Sequence, residues 1–208
     1  MGLINVLIRG ETNVGSIVGQ SNFGCFVTNS FSKGDVNGFN NVGGLMGSSY
    51  NGGSIINSYF MGDVNGSSSV GGIAGELYGS GDIISSYSVG DIFGSDFVGG
   101  LVGYFNGGAV FGGSVSNSFS TSKIIGSGNV GGLIGYDGSS ISSSYWDTVL
   151  SGQTNCYYDG TEGCTSTNDD VSAYYGDRGV AKLTSEYSWI VNNWVARDNN
   201  YPILAWQQ

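Results

Sequence analysis

The chain has 208 residues, with sixteen Asp and Glu against six Lys and Arg, so it carries −10 although only 11% of its residues are charged. Nucleic acid and anionic membrane surfaces are repelled by such a balance. Histidine is absent, which excludes Ser-His-Asp and Cys-His nucleophiles and the His-Glu-x-x-His zinc site.

Glycine supplies 39 residues and proline one, which fits neither a collagen triplet nor a proline-rich linker. No apolar run reaches the length of a membrane-spanning helix, so no direct membrane insertion is expected. No export signal is visible after Met1. Residues 1–12 read as the tail of a repeat. Gly10 precedes Val14 as Gly38, Gly66, Gly94 and Gly126 precede Val42, Val70, Val98 and Val130, and Ile8 takes the place of Val36, Val64, Ile92 and Ile124.

The repeat begins with the phrase Val42-Gly43-Gly44-Leu45-Met46-Gly47, which returns from Val14, Val70, Val98 and Val130. Its copies step by 28, 28, 28 and 32 residues, a period that signals a solenoid. A second phrase follows in each copy, from Val27-Thr28-Asn29-Ser30-Phe31 to Ile141-Ser142-Ser143-Ser144-Tyr145. Alternation along a strand predicts an inward face of Val or Ile, then Asn or Ser, then Phe or Tyr. The opposite face, extended by one residue, is mainly Ser and Thr with Ile56, Ile84, Phe60 and Trp146 as apolar exceptions, and is expected to face solvent or a partner. A third phrase, Gly34-Asp35-Val36, returns at Gly62, at Gly90 and, altered, as Ser122-Lys123-Ile124. It predicts a tight turn with an inward aliphatic residue.

The pattern predicts an all-β fold, a right-handed parallel β-helix (β-solenoid) of about five coils of 28 residues. Each coil has three short strands, the first coil is incomplete, and the solenoid covers residues 1–152. Every phrase then stacks on its copy one coil away, about 4.8 Å distant. Stacking predicts an inward aromatic file of Phe31, Tyr59, Tyr87, Phe119 and Tyr145 beside a polar file of Asn29, Asn57, Ser85, Asn117 and Ser143. The Gly-Gly pairs are expected at a corner whose backbone angles exclude other residues. Val18, Met46, Ala74, Val102 and Ile134 form an apolar file that corner geometry is expected to turn inward.

The insertion in the fourth repeat falls at Asn106–Gly113 and is expected to protrude. After Trp146 the beat stops. Residues 153–180 read as an irregular polar loop in which Cys156 and Cys164 are close enough in sequence to form a disulfide, and Cys25 reads as a buried thiol. Residues 181–208, with Trp189, Trp194, Tyr201, Pro202, Leu204 and Trp206, read as a C-terminal aromatic cap over the open end of the solenoid, with a helical turn near Thr184–Tyr187 and a strand from Tyr201 to Trp206.

Gly44-Leu45-Met46-Gly47, Gly100-Leu101-Val102-Gly103 and Gly132-Leu133-Ile134-Gly135 resemble the signature of the GLUG-motif repeat family, with Gly72-Ile73-Ala74-Gly75 a near match and Ser16-Ile17-Val18-Gly19 a departure at its first position. The segment Asn200–Gln207 is similar to the closing segment of such chains. The resemblance implies a bacterial or archaeal secreted or surface protein, adhesin-like, or a noncatalytic part of an immunoglobulin A peptidase. It carries no catalytic motif.

Chemistry-bearing candidates are few. Asp35, Asp63 and Asp91 stack one per coil, with Lys33 and Lys123 near the ends of their file, as a conceivable calcium or glycan site on one face; Asp readily occupies turns for conformation alone. Asp159, Glu162, Asp169 and Asp170 form an acidic loop with the same alternatives. The expectation is a structural or adhesive module of an extracellular or cell-surface protein, without catalysis or cofactor. Its partners are expected to be other subunits, or the rest of a longer surface chain, through the open N-terminal coil; head-to-tail filaments would follow. The competing reading is a carbohydrate-binding or carbohydrate-active β-helix using carboxylates on one face.

Overall fold

The computed structural model describes residues 1–107, 112–167, 194–197, 200–204 and 206. The chain opens with β1 (Gly2–Arg9) and climbs through β2 (Thr12–Gly15), β3 (Val18–Ser21), β4 (Phe26–Thr28) and β5 (Phe31–Asn37). The next coil lays Val42 on Val14, Met46 on Val18, Ile55 on Val27 and Tyr59 on Phe31, all in parallel register. Further coils repeat the operation, and the result is a parallel β-solenoid of about five coils with a period near 28 residues.

Among the described residues, one parallel sheet has eight strands and three have five. Each coil therefore carries four strand positions where three were expected: the first phrase is cut at its glycine corner into β2 and β3, and the second is cut after β4, its aromatic end joining the third phrase in β5. Asn29, Asn57, Ser85, Asn117 and Ser143 all adopt positive φ, between 44° and 50°. Asn is among the side chains that tolerate this left-handed region best. A left-handed residue breaks the alternation, so side-chain parity shifts by one across the corner.

That shift corrects the expected facing. Ile55 points into the core, but so does Phe60, whereas Tyr59 belongs to a separate cluster with Tyr87, Phe119, Tyr145 and Leu204. The aromatic file does line up along one axis, with neighbouring rings from Phe31 to Phe119 stacked 4.8 to 5.1 Å apart. It lies on the outer side of the eight-stranded sheet. Ser32, Ser88, Ser120 and Trp146, expected outside, are buried.

The polar ladder also moves by one residue. Ser30, Ser58, Ser86 and Ser118 donate their backbone N–H to the hydroxyl of the next serine in the file, at 3.1 to 3.3 Å. Ser58, Ser86, Ser118 and Ser144 in turn donate those hydroxyls to the carbonyl two residues earlier, at 2.8 to 2.9 Å. Leaving one such buried N–H unpaired costs about 1–3 kcal/mol, which is why serine recurs here while the preceding corner alternates between Asn and Ser.

The core runs the length of the solenoid as stacked files: Val42, Val70 and Val98; Leu45, Ile73, Leu101 and Leu133; Met46, Ala74, Val102 and Ile134; Ile55, Ile83 and Val115. Burying each large aliphatic side chain contributes about 1.5–3 kcal/mol. The corner turns both residues of the Leu-Met pair and its copies inward, as expected.

The reason for the Gly-Gly pairs is different from the one expected. None of them has positive φ; they are glycine because backbones meet there. A Cβ on Gly72 would stand 2.3 Å from the Gly100 carbonyl oxygen and 2.6 Å from Ser88 Cβ, and one on Gly71 would stand 2.1 Å from the Ala74 oxygen. Conformation does decide Gly34, Gly62 and Gly90, with φ of 134°, 143° and 139°. These bend the eight-stranded sheet where a tight turn was expected.

At the C-terminal end Asp147 caps a short helix, α1 (Thr148–Ser151), by accepting a 2.8 Å hydrogen bond from the Leu150 N–H. The following segment then covers the last coil. Gly132 donates to the Asn155 carbonyl, Leu133 and Ile134 donate to that of Cys156, and Cys164–Thr167 adds a strand onto Ser144–Asp147. This part of the stretch expected as irregular loop thus continues the stack. The expected cap instead contributes an antiparallel pair, Trp194–Arg197 with Asn200–Leu204, and its Leu204 and Trp206 lie along the aromatic file rather than over the end. The helical turn expected near Thr184–Tyr187 and the tip of the insertion lie outside the described residues. Register survives the insertion, since Ser114–Ser116 still stacks on Asp82–Ile84.

Candidate functional site

The aspartates singled out from sequence form a file on the outer side of the eight-stranded sheet. Asp91 accepts no ligand-like cluster around it; instead the Asp91 N–H donates to the Asp63 carboxylate at 3.1 Å and the Asp63 N–H to Asp35 at 3.5 Å. Lys123 follows Asp91 in the file. The Asp35 and Asp63 carboxylates thus bond to the backbone of the neighbouring coil, and among the described residues no group of three or more His, Cys, Asp or Glu is placed to hold a metal. Lys33 leaves the aspartates and sits 5.7 and 5.8 Å from the ring centres of Phe31 and Tyr59, a cation–π arrangement. Asp169 and Asp170 lie outside the described residues.

Cys156 and Cys164 form a disulfide, with Cα atoms 6.3 Å apart. Cys25 is a free thiol, half-buried against the core.

A different face gathers more chemistry. Where the Gly-Gly corner brings the sheet of β2 against that of β3, one outward file reads Gln20, Ser48, Glu76, Tyr104 and Tyr136 in successive coils. Beside it run Asn13, Asn41, Ser69 and Phe97, all with φ between 52° and 56°. Asn41 Nδ2 donates to Asn13 Oδ1 at 2.9 Å and to Glu76 Oε2 at 2.8 Å, and the Tyr50 hydroxyl donates to the same carboxylate oxygen at 3.1 Å. Tyr104 and Tyr136 stack at 4.8 Å, and Phe97 meets both edge-on at 5.2 and 6.0 Å. Phe97 holds a left-handed backbone that a bulky residue seldom adopts, which is a local cost kept at an exposed aromatic cluster.

The electrostatics agree with this arrangement. Burial, then the neighbouring Glu76 charge and hydrogen bond, raises the Tyr50 pKa above its ordinary value. Burial first, with Tyr136 next, raises that of Tyr104. Asp137 stands in the inward file after Ser49, Leu77 and Phe105, and burial raises its pKa despite hydrogen bonds from Ser139. The amino-acid order carries only an indirect signal for this face. At positions 28 or 32 residues apart the Val42, Leu45 and Ile55 files keep aliphatic residues, whereas the outward file changes from Gln20 to Ser48 to Glu76 and then to Tyr104 and Tyr136.

The fold has a solved counterpart. A crystal structure from Bacteroides ovatus, of a protein provisionally named an immunoglobulin A1 protease, superposes with a TM-score of 0.68 at 20% identity, over 100% of this chain and 68% of that one. At that identity the likeness concerns the fold alone. No family model matches the chain, and no curated protein does.

Proposed function

We propose that this chain is a structural and adhesive scaffold module, akin to GLUG-repeat chains, belonging to an extracellular or cell-surface protein. One observation carries the reading: the Val42, Leu45 and Ile55 files of the interior keep aliphatic residues from coil to coil, while the outward file runs through Gln20, Ser48 and Glu76 to Tyr104 and Tyr136. A spacer needs only the uniform interior; an individual face on a uniform stack is the arrangement of a binding surface built on a rigid support. The Cys156–Cys164 disulfide supports an oxidising, exported location. The provisional peptidase name of the solved neighbour supplies no residue pattern for this chain to share, and the absence of histidine removes the commonest peptidase arrangements.

The test is retention of beads coated with the full chain on surfaces coated with mucin glycoproteins or polysaccharides, with albumin-coated beads for comparison. Retention above albumin is expected. Retention no better than albumin on every surface would reject the adhesive role. A reducing-sugar assay on the same polysaccharides addresses the carbohydrate-active alternative, in which sugar ends accumulate with time.

A further inference from the structure

We infer that the face holding Ser48, Tyr50, Glu76, Tyr104 and Tyr136 binds a neutral oligosaccharide chain laid along the solenoid axis, an inference that rests on the adhesive reading above. The first argument is the mix of groups. Glu76 is an acceptor-only carboxylate already oriented by Asn41 and Tyr50, and such a group takes paired hydroxyl donors. The amides of Asn13, Asn41 and Gln20 form a continuous hydrogen-bonded row beside it, joined by the 3.1 Å bond from Asn13 Nδ2 to Gln20 Oε1. Sugar hydroxyls, which both donate and accept, are the ligand class that such a row satisfies.

A second, independent observation is the Ser48 hydroxyl. It lies between Gln20 and Glu76 in the file, buried beneath the face, and like Ser32, Ser49, Asn57 Oδ1 and Thr121 elsewhere it has no hydrogen-bond partner among the described residues. Buried polar atoms rarely stay unpaired in the absence of a ligand or ordered water. The third is the aromatic half of the face. Tyr136 ends the Tyr104–Tyr136 stack and is 41% exposed, so the ring presents itself to solvent at the C-terminal end of the row. Apolar sugar faces stack on such rings, and Phe97 braces the pair edge-on.

Charge selects against other ligands. Arg9, Lys33 and Lys123 all belong to the eight-stranded sheet, away from this face. Among the described side chains, phosphate, sulfate and sialic acid therefore meet a carboxylate and no cation here. The repeat geometry matches as well, since the rise per coil, about 4.8 Å, is close to the length of one sugar residue in an extended chain. Neighbouring sugars would meet neighbouring coils.

The experiment titrates the full chain with cellohexaose, chitohexaose and mannohexaose by calorimetry, with a heparin hexasaccharide as the anionic comparison, and repeats the bead assay with each as competitor. Binding of at least one neutral hexasaccharide is expected, weakened tenfold or more by Glu76→Gln and, separately, by Tyr136→Ala, and unchanged by Asp63→Asn. The isosteric Glu76→Gln guards against misfolding as the cause. No neutral binding, preference for heparin, or binding indifferent to both substitutions overturns the inference. If beads still adhere while no hexasaccharide competes, the adhesive reading stands and this site alone falls; if beads never adhere, both fall.

Discussion

Gly72 shows how little space a single position leaves. Its missing side chain faces the Gly100 oxygen and Ser88 Cβ at distances no real Cβ tolerates, so Gly72→Ala forces a backbone shift in two coils. Overpacking of this kind costs about 1–3 kcal/mol or more, and a lowered midpoint in guanidinium unfolding measures it. Gly44 faces Phe60 and Gly132 faces Trp146 in the same way, and Gly100 faces Ser120 as Gly72 faces Ser88. Asp137 offers the opposite opportunity. Burial raises its native pKa above the unfolded value, so the protonated form favours folding; that contribution is full below the unfolded value, near 4, and is lost as pH rises through the native one. Asp137→Asn keeps an acceptor for Ser139 and removes the charge, so it should melt higher than the parent at pH 7, with the difference closing towards pH 4. An equal shift at both values would show that the charge is not the cause.

At the scale of elements, the aromatic file is the clearest case of pattern without placement. Its members were evident from spacing, but a left-handed corner at Asn57 and its copies put them outside, where Leu204 is buried among them and Trp206 stacks on Phe31 and Tyr59 while donating to the Asn57 carbonyl at 2.9 Å. Trp206→Ala should cost about 1–3 kcal/mol and increase binding of a hydrophobic dye, because the file loses its cover. Unchanged dye fluorescence would mean that the file is covered without the tryptophan. The segment from Asn155 to Thr167 is pinned to the last coil by hydrogen bonds and by the Cys156–Cys164 link. Closing so short a loop restrains the unfolded chain by about 2–3 kcal/mol. Reduction should lower the thermal midpoint accordingly, and Cys164→Ser should reproduce the effect without reductant.

For the whole molecule, the two ends of the stack are unequal. Among the described residues β1, β2, β3 and β4 are the outermost strands of their sheets at one end, and Ile4, Leu7, Phe23 and Phe26 are exposed there. An open sheet edge with apolar side chains favours pairing with another chain. Sedimentation velocity of this chain should reveal concentration-dependent growth beyond the monomer, suppressed by Leu7→Lys together with Phe26→Lys. A single monomeric boundary at every concentration would refute end-to-end assembly. The period, the coil count and the identity of each file were legible in the amino-acid order, because stacking places copy on copy and selects the same residue in each. The side of the sheet on which each file lies was not legible, because one left-handed residue reverses the alternation and Asn or Ser looks the same in a strand as in a corner. The face of Glu76, Ser48 and Tyr136 was hidden for a related reason. Its main file lies in one sheet, but Asn41 and Phe97 reach it from the adjacent sheet, which approaches closely only because the facing backbones are glycine, and that distance is a property of packing in three dimensions.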